Sequence, residues 1–315
     1  MKKAVFFLLL MFISINITAQ ESQTDYNFLR LPVSAHAAAL GGDNISIIED
    51  DPTLMFNNPA LISSVSDKTM NLNYMTYMEG VKLASASFTK VINDKATWAA
   101  SAQYIDYGNI KEVTADNVEV GTFSARDISI AGYFAYTLSN KLVGGITAKC
   151  ITSHIAGYNS LAMGVDLGLN YYDEDRDFSA SVVAKNLGGQ LKAYNDTYEA
   201  IPLDLQIGAS KRLSDGPLRI SGTLVDLNHW DYKFINHLVL GLDVLLSDNI
   251  YVAGGYNFRR VNEMRITDTD NEESAHAAGL SIGAGLQLER FRLQLSYGKY
   301  HVSSSSLLIN VSYSL

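Results

Sequence analysis

Apolar residues occupy every second position in many segments of this chain. Between 280 and 288, leucine, isoleucine and alanine alternate with serine, glycine and glutamine, and the segments 161–169 and 307–315 repeat this pattern. A β-strand shows successive side chains to opposite faces, so each segment predicts a strand with one apolar face and one small or polar face. A soluble β-sandwich would also show this alternation, and further features are needed to separate the two folds.

Segment length and spacing favour a membrane barrel. The segments run roughly 9 to 13 residues, which suits a tilted strand that crosses a bilayer and exceeds the ~5 to 6 residues of soluble strands. Short links alternate with mostly longer ones, as periplasmic turns and outer loops do in such barrels. The sequence therefore predicts an all-β, transmembrane antiparallel β-barrel of about fourteen strands over residues 69–315. The strands are predicted at 69–77, 81–91, 95–106, 126–136, 141–150, 158–170, 176–186, 202–212, 217–227, 235–246, 249–258, 276–288, 290–298 and 306–315.

The first residues predict export. Lys2 and Lys3 precede a wholly apolar stretch at 4–13, and Ala19 ends a small-residue cleavage site. This layout is that of a secretory signal peptide, residues 1–19, and a buried N-terminal helix is the alternative. Beyond it, no run of about 18 apolar residues occurs, so the barrel is expected to be integral to an outer membrane.

Composition removes three other classes of protein. The chain has 315 residues, of which 47% are hydrophobic and 18% charged, with a formal charge of -9 and one cysteine. A disordered chain would be more charged and less aromatic, and a nucleic-acid binder would carry a basic surface. A single cysteine excludes an intrachain disulfide scaffold.

Residues 20–68 break the alternation. Ala35 to Leu40 could form a helical turn, Gly41 and Gly42 follow, and Pro52 and Pro59 exclude a central strand. The segment is nevertheless too apolar for a solvated tail. We predict that it is a hatch, or plug, inside the barrel, because a barrel of this size leaves a lumen that strand side chains alone do not fill. A small periplasmic subdomain is the alternative.

Three motifs of the hatch segment resemble the PorV/PorQ family. They are Phe-Leu-Arg-Leu-Pro at 28–32, the Ala-Ala-Ala-Leu-Gly-Gly run at 37–42, and Asn-Pro-Ala at 58–60. That family is related to the FadL fatty-acid channels and belongs to the type IX secretion system of Bacteroidetes. This chain departs from the pattern at its last residue, which is Leu315 and not the aromatic residue common at barrel C-termini. The hatch-motif residues are Arg30, Pro32, Gly41, Gly42, Asn58, Pro59 and Ala60.

The resemblance implies a fold, a function and partners. The implied fold is a FadL-like barrel with an N-terminal hatch. The implied function is membership of the outer-membrane attachment complex, which processes secreted cargo and attaches it to lipopolysaccharide. The implied partners are a PorZ-like surface protein that this barrel anchors, a PorU-like sortase and a PorV-like shuttle.

Signals of catalysis are weak. Ser87 and Lys90 match the S-x-x-K motif of penicillin-binding proteins, and 247–249 matches S-D-N, but the first pair lies in a predicted strand and needs a helix. Most of the six histidines fall at strand ends or in loops. The acidic stretch 268–273 lacks the glycine and terminal glutamate of an EF-hand. We therefore predict no enzyme, no cofactor and no metal site.

Two functions remain open. In the first, the outer loops 107–125, 187–201, 228–234 and 259–275 dock a surface protein. In the second, the barrel is a FadL-like channel for hydrophobic solutes, which requires a continuous apolar pocket in the lumen. The inward positions are mainly small or polar, which favours docking. Aromatic residues and arginines are frequent anchors of interfaces, and the candidates in these loops are Tyr107, Tyr194, Tyr198, Trp230, Tyr232, Phe234, Arg259, Arg260 and Arg265.

Overall fold

A computed structural model describes residues 26–77, 80–116, 118–213, 216–264, 266–267, 273–274, 277–301 and 304–315. The predicted signal peptide lies outside these residues. Within the described part, no helix is both long enough and apolar enough to cross a membrane. The strands are β1 (Thr69–Thr76), β2 (Lys82–Asn93), β3 (Ala96–Val113), β4 (Glu119–Ser139), β5 (Leu142–Ile155), β6 (Tyr158–Asp173), β7 (Phe178–Lys192), β8 (Asp204–Arg212), β9 (Leu218–Leu224), β10 (Leu238–Leu245), β11 (Ile250–Asn257), β12 (Ile266–Thr267), β13 (Glu273–Ser274), β14 (Leu280–Gln287), β15 (Phe291–His301) and β16 (Ser304–Ser314). The α-helices are α1 (Ala35–Ala39) and α2 (Phe258–Glu263).

Fourteen of the described strands form one closed antiparallel barrel. Each barrel strand pairs with the next barrel strand in sequence, so that β11 pairs with β14. The barrel closes where β1 pairs with β16, from Thr69↔Ser314 to Met75↔Leu308. The short strands β12 and β13 pair only with each other. Closure gives every barrel strand a hydrogen-bonded neighbour on both sides and leaves no sheet edge to lipid. This is the condition for spanning a bilayer with strands. The predicted fold class is confirmed.

The two faces of the wall differ as the alternation predicts. In β1, Leu72 and Tyr74 point outward and are 63% and 41% exposed, whereas Asn71 and Asn73 point inward and are buried. The same alternation runs through β6 and β15. The outward face is therefore the apolar surface that lipid covers, and the inward face is polar or small.

The barrel has two unlike ends. The "turn end" carries the short turns at 94–95, 140–141, 174–177, 213–217, 246–249 and 288–290, and the "loop end" carries the other connections. The predicted loop at 107–125 is wrong, because β3 and β4 continue through most of it and turn at 114–118. β7 likewise extends to Lys192 into the predicted loop 187–201. These extensions escaped prediction because both faces of a strand beyond the bilayer meet water, so the apolar alternation ends while the backbone ladder continues.

The hatch segment occupies the lumen. Of its described residues, 26–68, most are buried, and they form three 3₁₀ helices, Asn27–Arg30, Pro52–Phe56 and Pro59–Ser64, beside α1. Tyr26 and Phe28 pack among loop-end residues of the wall such as Ile105. Met55 and Ile62 pack against the wall nearer the turn end. Residues 20–25 lie outside the described part, and the domain boundary at 19/20 stays a prediction.

Candidate functional site

Capping residues shape the hatch turns. The side chains of Asp51 and Asn58 accept hydrogen bonds from Thr53 N (2.8 Å) and Ala60 N (3.0 Å), and Pro52 and Pro59 fill the first helical positions. A proline there loses no helical hydrogen bond and fixes the backbone angle that the helix needs. The Asn-Pro-Ala motif at 58–60 is thus a cap followed by a helix start, as its exclusion from a central strand requires.

Glycines in the wall admit the hatch backbone. A Cβ on Gly145 would lie 2.3 Å from Ala60 N, and one on Gly255 would lie 2.2 Å from the Leu40 carbonyl carbon. Any larger residue at these two positions would collide with the hatch main chain. Small residues on the inward face therefore serve close packing against the hatch.

Amide side chains of the wall satisfy hatch backbone groups. Asn310 donates from Nδ2 to Val33 O (3.0 Å) and accepts from Ala35 N through Oδ1. Asn257 donates to Gly41 O at 3.0 Å. An irregular buried segment needs such partners, because unpaired backbone groups away from water are costly.

A buried ionic network joins the hatch to the wall. His36 of α1 places Nδ1 2.9 Å from Glu49 Oε2 and Nε2 2.7 Å from Asp243 Oδ1 of β10. Arg219 of β9 donates to both carboxylates, at 2.6 Å to Glu49 and 2.8 Å to Asp243. The His36 ring also stacks on Tyr251 of β11, with centroids 3.9 Å apart. Two carboxylates thus share two cations in the lumen, and we call these four residues the hatch network.

The hatch network keeps His36 charged. Burial alone would lower the pKa of His36, but the Glu49 and Asp243 carboxylates outweigh it and raise that pKa to about 9. Burial alone would raise the pKa of Glu49, yet His36 and Arg219 hold it well below its usual range. Both ring nitrogens of His36 therefore donate at neutral pH.

We expect the free energy of unfolding to fall at alkaline pH, because His36 of the hatch network then loses its charge. The ordinary pKa of His36 is 6.5 and its folded pKa is about 9. The stabilisation is therefore complete below pH 6.5 and is lost as pH rises through about 9, on the order of 3 kcal/mol in total. Urea unfolding in detergent between pH 6 and 10.5 should show this loss in the native chain and not in His36→Gln. Parallel pH profiles for the two proteins would contradict the assignment.

Two residues of the hatch network, together with Asp51, resemble a metal site in spacing only. Ligand atoms of His36, Glu49 and Asp51 lie within 4.8 Å of one another. Both nitrogens of His36 already contact carboxylates, however, and Asp51 accepts from Gln294 at 2.9 Å. Two guanidinium groups, of Arg219 and Arg292, raise the positive charge nearby. The arrangement fits an ion network better than a metal centre.

A polar cavity lies at the loop end, above the hatch. It measures about 690 Å³ and is bordered by Arg30, Lys185, Arg259, Glu263 and Tyr300, among others. Both signs of charge line it, and its floor is the hatch itself. We call it the mouth cavity.

Ion pairs fasten the hatch to the loop end. Arg30 lies 3.9 Å from both Asp226, in the connection 225–237, and Glu263 of α2. Arg259 pairs with the same two acids, at 2.6 Å to Glu263. The hatch-motif arginine thus lies between two loop-end segments, within ion-pair distance of an acid on each.

The predicted loop aromatics fall into two groups. Trp230, Phe234 and Tyr198 are exposed, at 83%, 71% and 65%. Tyr232 is half-buried and stacks on His229 with centroids 5.4 Å apart. Tyr194 is also half-buried and hydrogen-bonds Ser153.

Three predicted contact residues point inward instead. Tyr107 lies on β3 and donates to Asp127 at 2.7 Å. Arg260 is buried, stacks on Tyr300 and donates to Ser281 Oγ at 2.6 Å, and Arg259 is largely buried by its ion pairs. The sequence did not show that these side chains would turn inward to bond acids and hydroxyl groups of other segments, namely Asp127, Asp226 and Ser281. Arg265 and most of the acidic stretch 268–273 lie outside the described residues.

The other hatch-motif residues are structural. Gly41 and Gly42 have φ of +105° and +108°, which turns the chain back after α1. Pro32 borders the mouth cavity beside Arg30. Ser87 faces the lumen in β2 and Lys90 is exposed on the opposite face, so the S-x-x-K match carries no catalytic pair.

Sequence reasoning missed the hatch network. Asp243 was visible as a charge that interrupts an apolar run, and Arg219 as a charge in a predicted strand. His36 lies in a run of alanines, where a solitary polar residue points to a buried partner. These signals mark buried charges, but only the fold reveals that they meet.

Comparisons with known proteins show the fold and no family. No protein-family profile and no curated protein matches this chain. Among solved structures, the Pseudomonas putida toluene transporter TodX is 13% identical and matches with a TM-score of 0.56 over 90% of this chain and 97% of its own. A Pseudomonas aeruginosa FadL homologue is 10% identical and matches with a TM-score of 0.58 over 90% of this chain and 99% of its own. The CymD monoaromatic hydrocarbon channel is 13% identical and matches with a TM-score of 0.58 over 92% of this chain and 98% of its own. The barrel is therefore FadL-like in fold.

Proposed function

We propose that this chain is an outer-membrane barrel, kept closed by its hatch, whose loop end anchors a surface protein. The turn end then faces the periplasm and the loop end faces the exterior, as in other outer-membrane barrels. The observation that carries the proposal is the exposure of Trp230 and Phe234 on a connection that an ion pair, Arg30 to Asp226, joins to the hatch. Large exposed aromatics on a rigid support are frequent anchors of protein interfaces.

The filled lumen also supports docking. The hatch packs against the wall through main-chain contacts at Gly145 and Gly255 and through the hatch network. The mouth cavity above it is lined by charges of both signs. These features suit a rigid platform for a polar partner surface.

The resemblance in the hatch motifs names the partner. A PorQ-like member of the type IX secretion system would hold a PorZ-like protein at the surface, together with a PorU-like sortase and a PorV-like shuttle. The complex would process cargo and attach it to lipopolysaccharide. We infer this assignment from the motifs at 28–32, 37–42 and 58–60 alone.

A FadL-like channel for hydrophobic solutes is the second candidate. It is favoured by the shared fold with the toluene transporter TodX and the channel CymD. Such a channel needs an apolar path through the lumen. The large apolar groove among the described residues, about 620 Å³ beside Leu72 and Phe88, lies instead on the outward face of the wall.

We expect the double variant Trp230→Ala, Phe234→Ala to bind a purified PorZ-like protein of the same organism at least about tenfold more weakly than the native barrel. Binding can be measured in detergent with the partner immobilised. Tyr158→Ala, an exposed aromatic in the β5–β6 hairpin of the loop end, is the control and should bind as the native chain does.

Two results would oppose docking. One is native affinity in the double variant, and the other is absence of binding by the native barrel. Faster entry of a monoaromatic hydrocarbon into liposomes that contain the native barrel would support the channel instead.

A further inference from the structure

A second cavity lies at the turn end, on the other side of the hatch from the mouth cavity. It measures about 310 Å³ and is formed by hatch residues 49–50, the turn 246–249 and the adjoining strand ends. Guanidinium groups of Arg212, Arg219 and Arg292 line it. We call it the turn-end cavity.

Arg292 is a buried cation that makes no side-chain hydrogen bond and no close ion pair among the described residues. It is the second residue of β15, points into the lumen and is 6% exposed. Its Nη1 is fully buried and makes no hydrogen bond, and the side chain forms no ion pair with the described residues. Buried polar groups are nearly always paired, and a charged one without an acceptor calls for an explanation.

The nearby carboxylates are already engaged. Both oxygens of Glu49 contact His36 or Arg219, and Asp51 accepts from Thr53 and Gln294. Arg292 therefore adds positive charge to this region without sharing in its hydrogen bonds. Arg292 also lines the turn-end cavity, so its guanidinium group lies next to an acceptor that enters there.

The lining of the cavity indicates the kind of anion. Acidic residues Glu49, Asp50 and Asp248 border it and would repel a phosphate dianion more than a single carboxylate. A carboxylate also matches the planar fork of a guanidinium. Leu245 lies on the same face of its strand as Asp243 and stands beside the charges, which suits a small apolar group next to the carboxylate.

We propose that the turn-end cavity binds a carboxylate, such as the carboxyl-terminal end of a peptide, with Arg292 as the main anion donor and Arg212 at the rim. The site faces the periplasm if the barrel has the orientation given under the proposed function. Binding itself depends only on the cavity, so it can be tested on the purified barrel whether or not the loop end docks a protein.

The test uses two probes that differ only in charge. N-acetyl-alanyl-alanine carries one carboxylate, and its carboxyl-terminal amide carries none. Saturation-transfer NMR of the full-length barrel in detergent should show millimolar binding of the acid and at least about tenfold weaker binding of the amide. Arg292→Gln should weaken binding of the acid by a similar factor. Arg290→Gln, an exposed arginine two residues away, should leave it unchanged.

Several outcomes would overturn the proposal. They are equal binding of acid and amide, native affinity in Arg292→Gln, and binding of inorganic phosphate as tight as that of the acid. If Arg292→Gln lowers the urea midpoint, Arg212→Gln provides the test, because this exposed rim residue can be changed without disturbing the hatch. Weaker binding of the acid by Arg212→Gln supports the site, and unchanged binding refutes it.

Discussion

Replacing His36 with leucine should destabilise the barrel by about 3–5 kcal/mol, the usual cost of removing one member of a buried ion pair. The substitution leaves Glu49 and the fully buried Asp243 with Arg219 as their single bonded cation. It also removes the ring that stacks on Tyr251. The free energy of unfolding in urea, measured in detergent at pH 7, gives the effect directly. His154→Leu is the control, because that histidine is half-buried outside the lumen and its side chain hydrogen-bonds Asn159 in the described structure.

A second substitution separates charge from packing. Adding Glu49→Gln to His36→Leu restores the balance, since Arg219 then faces the single carboxylate of Asp243. The double variant should be less destabilised than the sum of the two single variants, by at least about 1 kcal/mol. Simple additivity would show that lost packing, and not an unpaired buried charge, accounts for the cost.

The barrel was predictable because a bilayer imposes a simple pattern. Lipid requires an apolar side chain at each outward position, as at Leu72 and Tyr74, so the period of two marks the strands across the membrane. The pattern ends where the lipid ends. That is why the extension of β3 and β4 beyond the bilayer was taken for a loop at 107–125.

The hatch was predictable in kind and not in detail. Pro52, Pro59 and the small-residue run excluded a strand and suggested a helical turn, and both features are present. Which lumen residue meets which hatch residue depends on how the closed barrel brings distant positions together. His36 and Asp243 are 207 residues apart in sequence, and nothing local to either indicates the other.

Side-chain direction at the loop end was also beyond the sequence. Arg259 and Arg260 were expected to face a partner, because loop arginines usually meet solvent. Acceptors supplied by other segments turn them inward: Asp226 for Arg259 and Ser281 for Arg260. In the described structure no acceptor from another segment draws the Trp230 side chain inward, and it is 83% exposed.

Gly255→Val should displace the hatch and cost about 3 kcal/mol or more, at the upper end of the range for overpacking. A Cβ at this position would lie 2.2 Å from Leu40 C and 2.3 Å from Gly41 N, and these are main-chain atoms that no rotamer change can move. Gly254→Val is the matched control, because the adjacent position faces outward and a Cβ there meets only Ser281 O at 3.9 Å. Both variants lose the same glycine flexibility in the same strand, so the difference between their urea midpoints reports the hatch contact. Limited proteolysis should cut the hatch in Gly255→Val and spare it in Gly254→Val. Equal midpoints for the two variants would mean that the hatch yields to the added side chain at little cost, and that its seat against β11 is not what fixes it in the lumen.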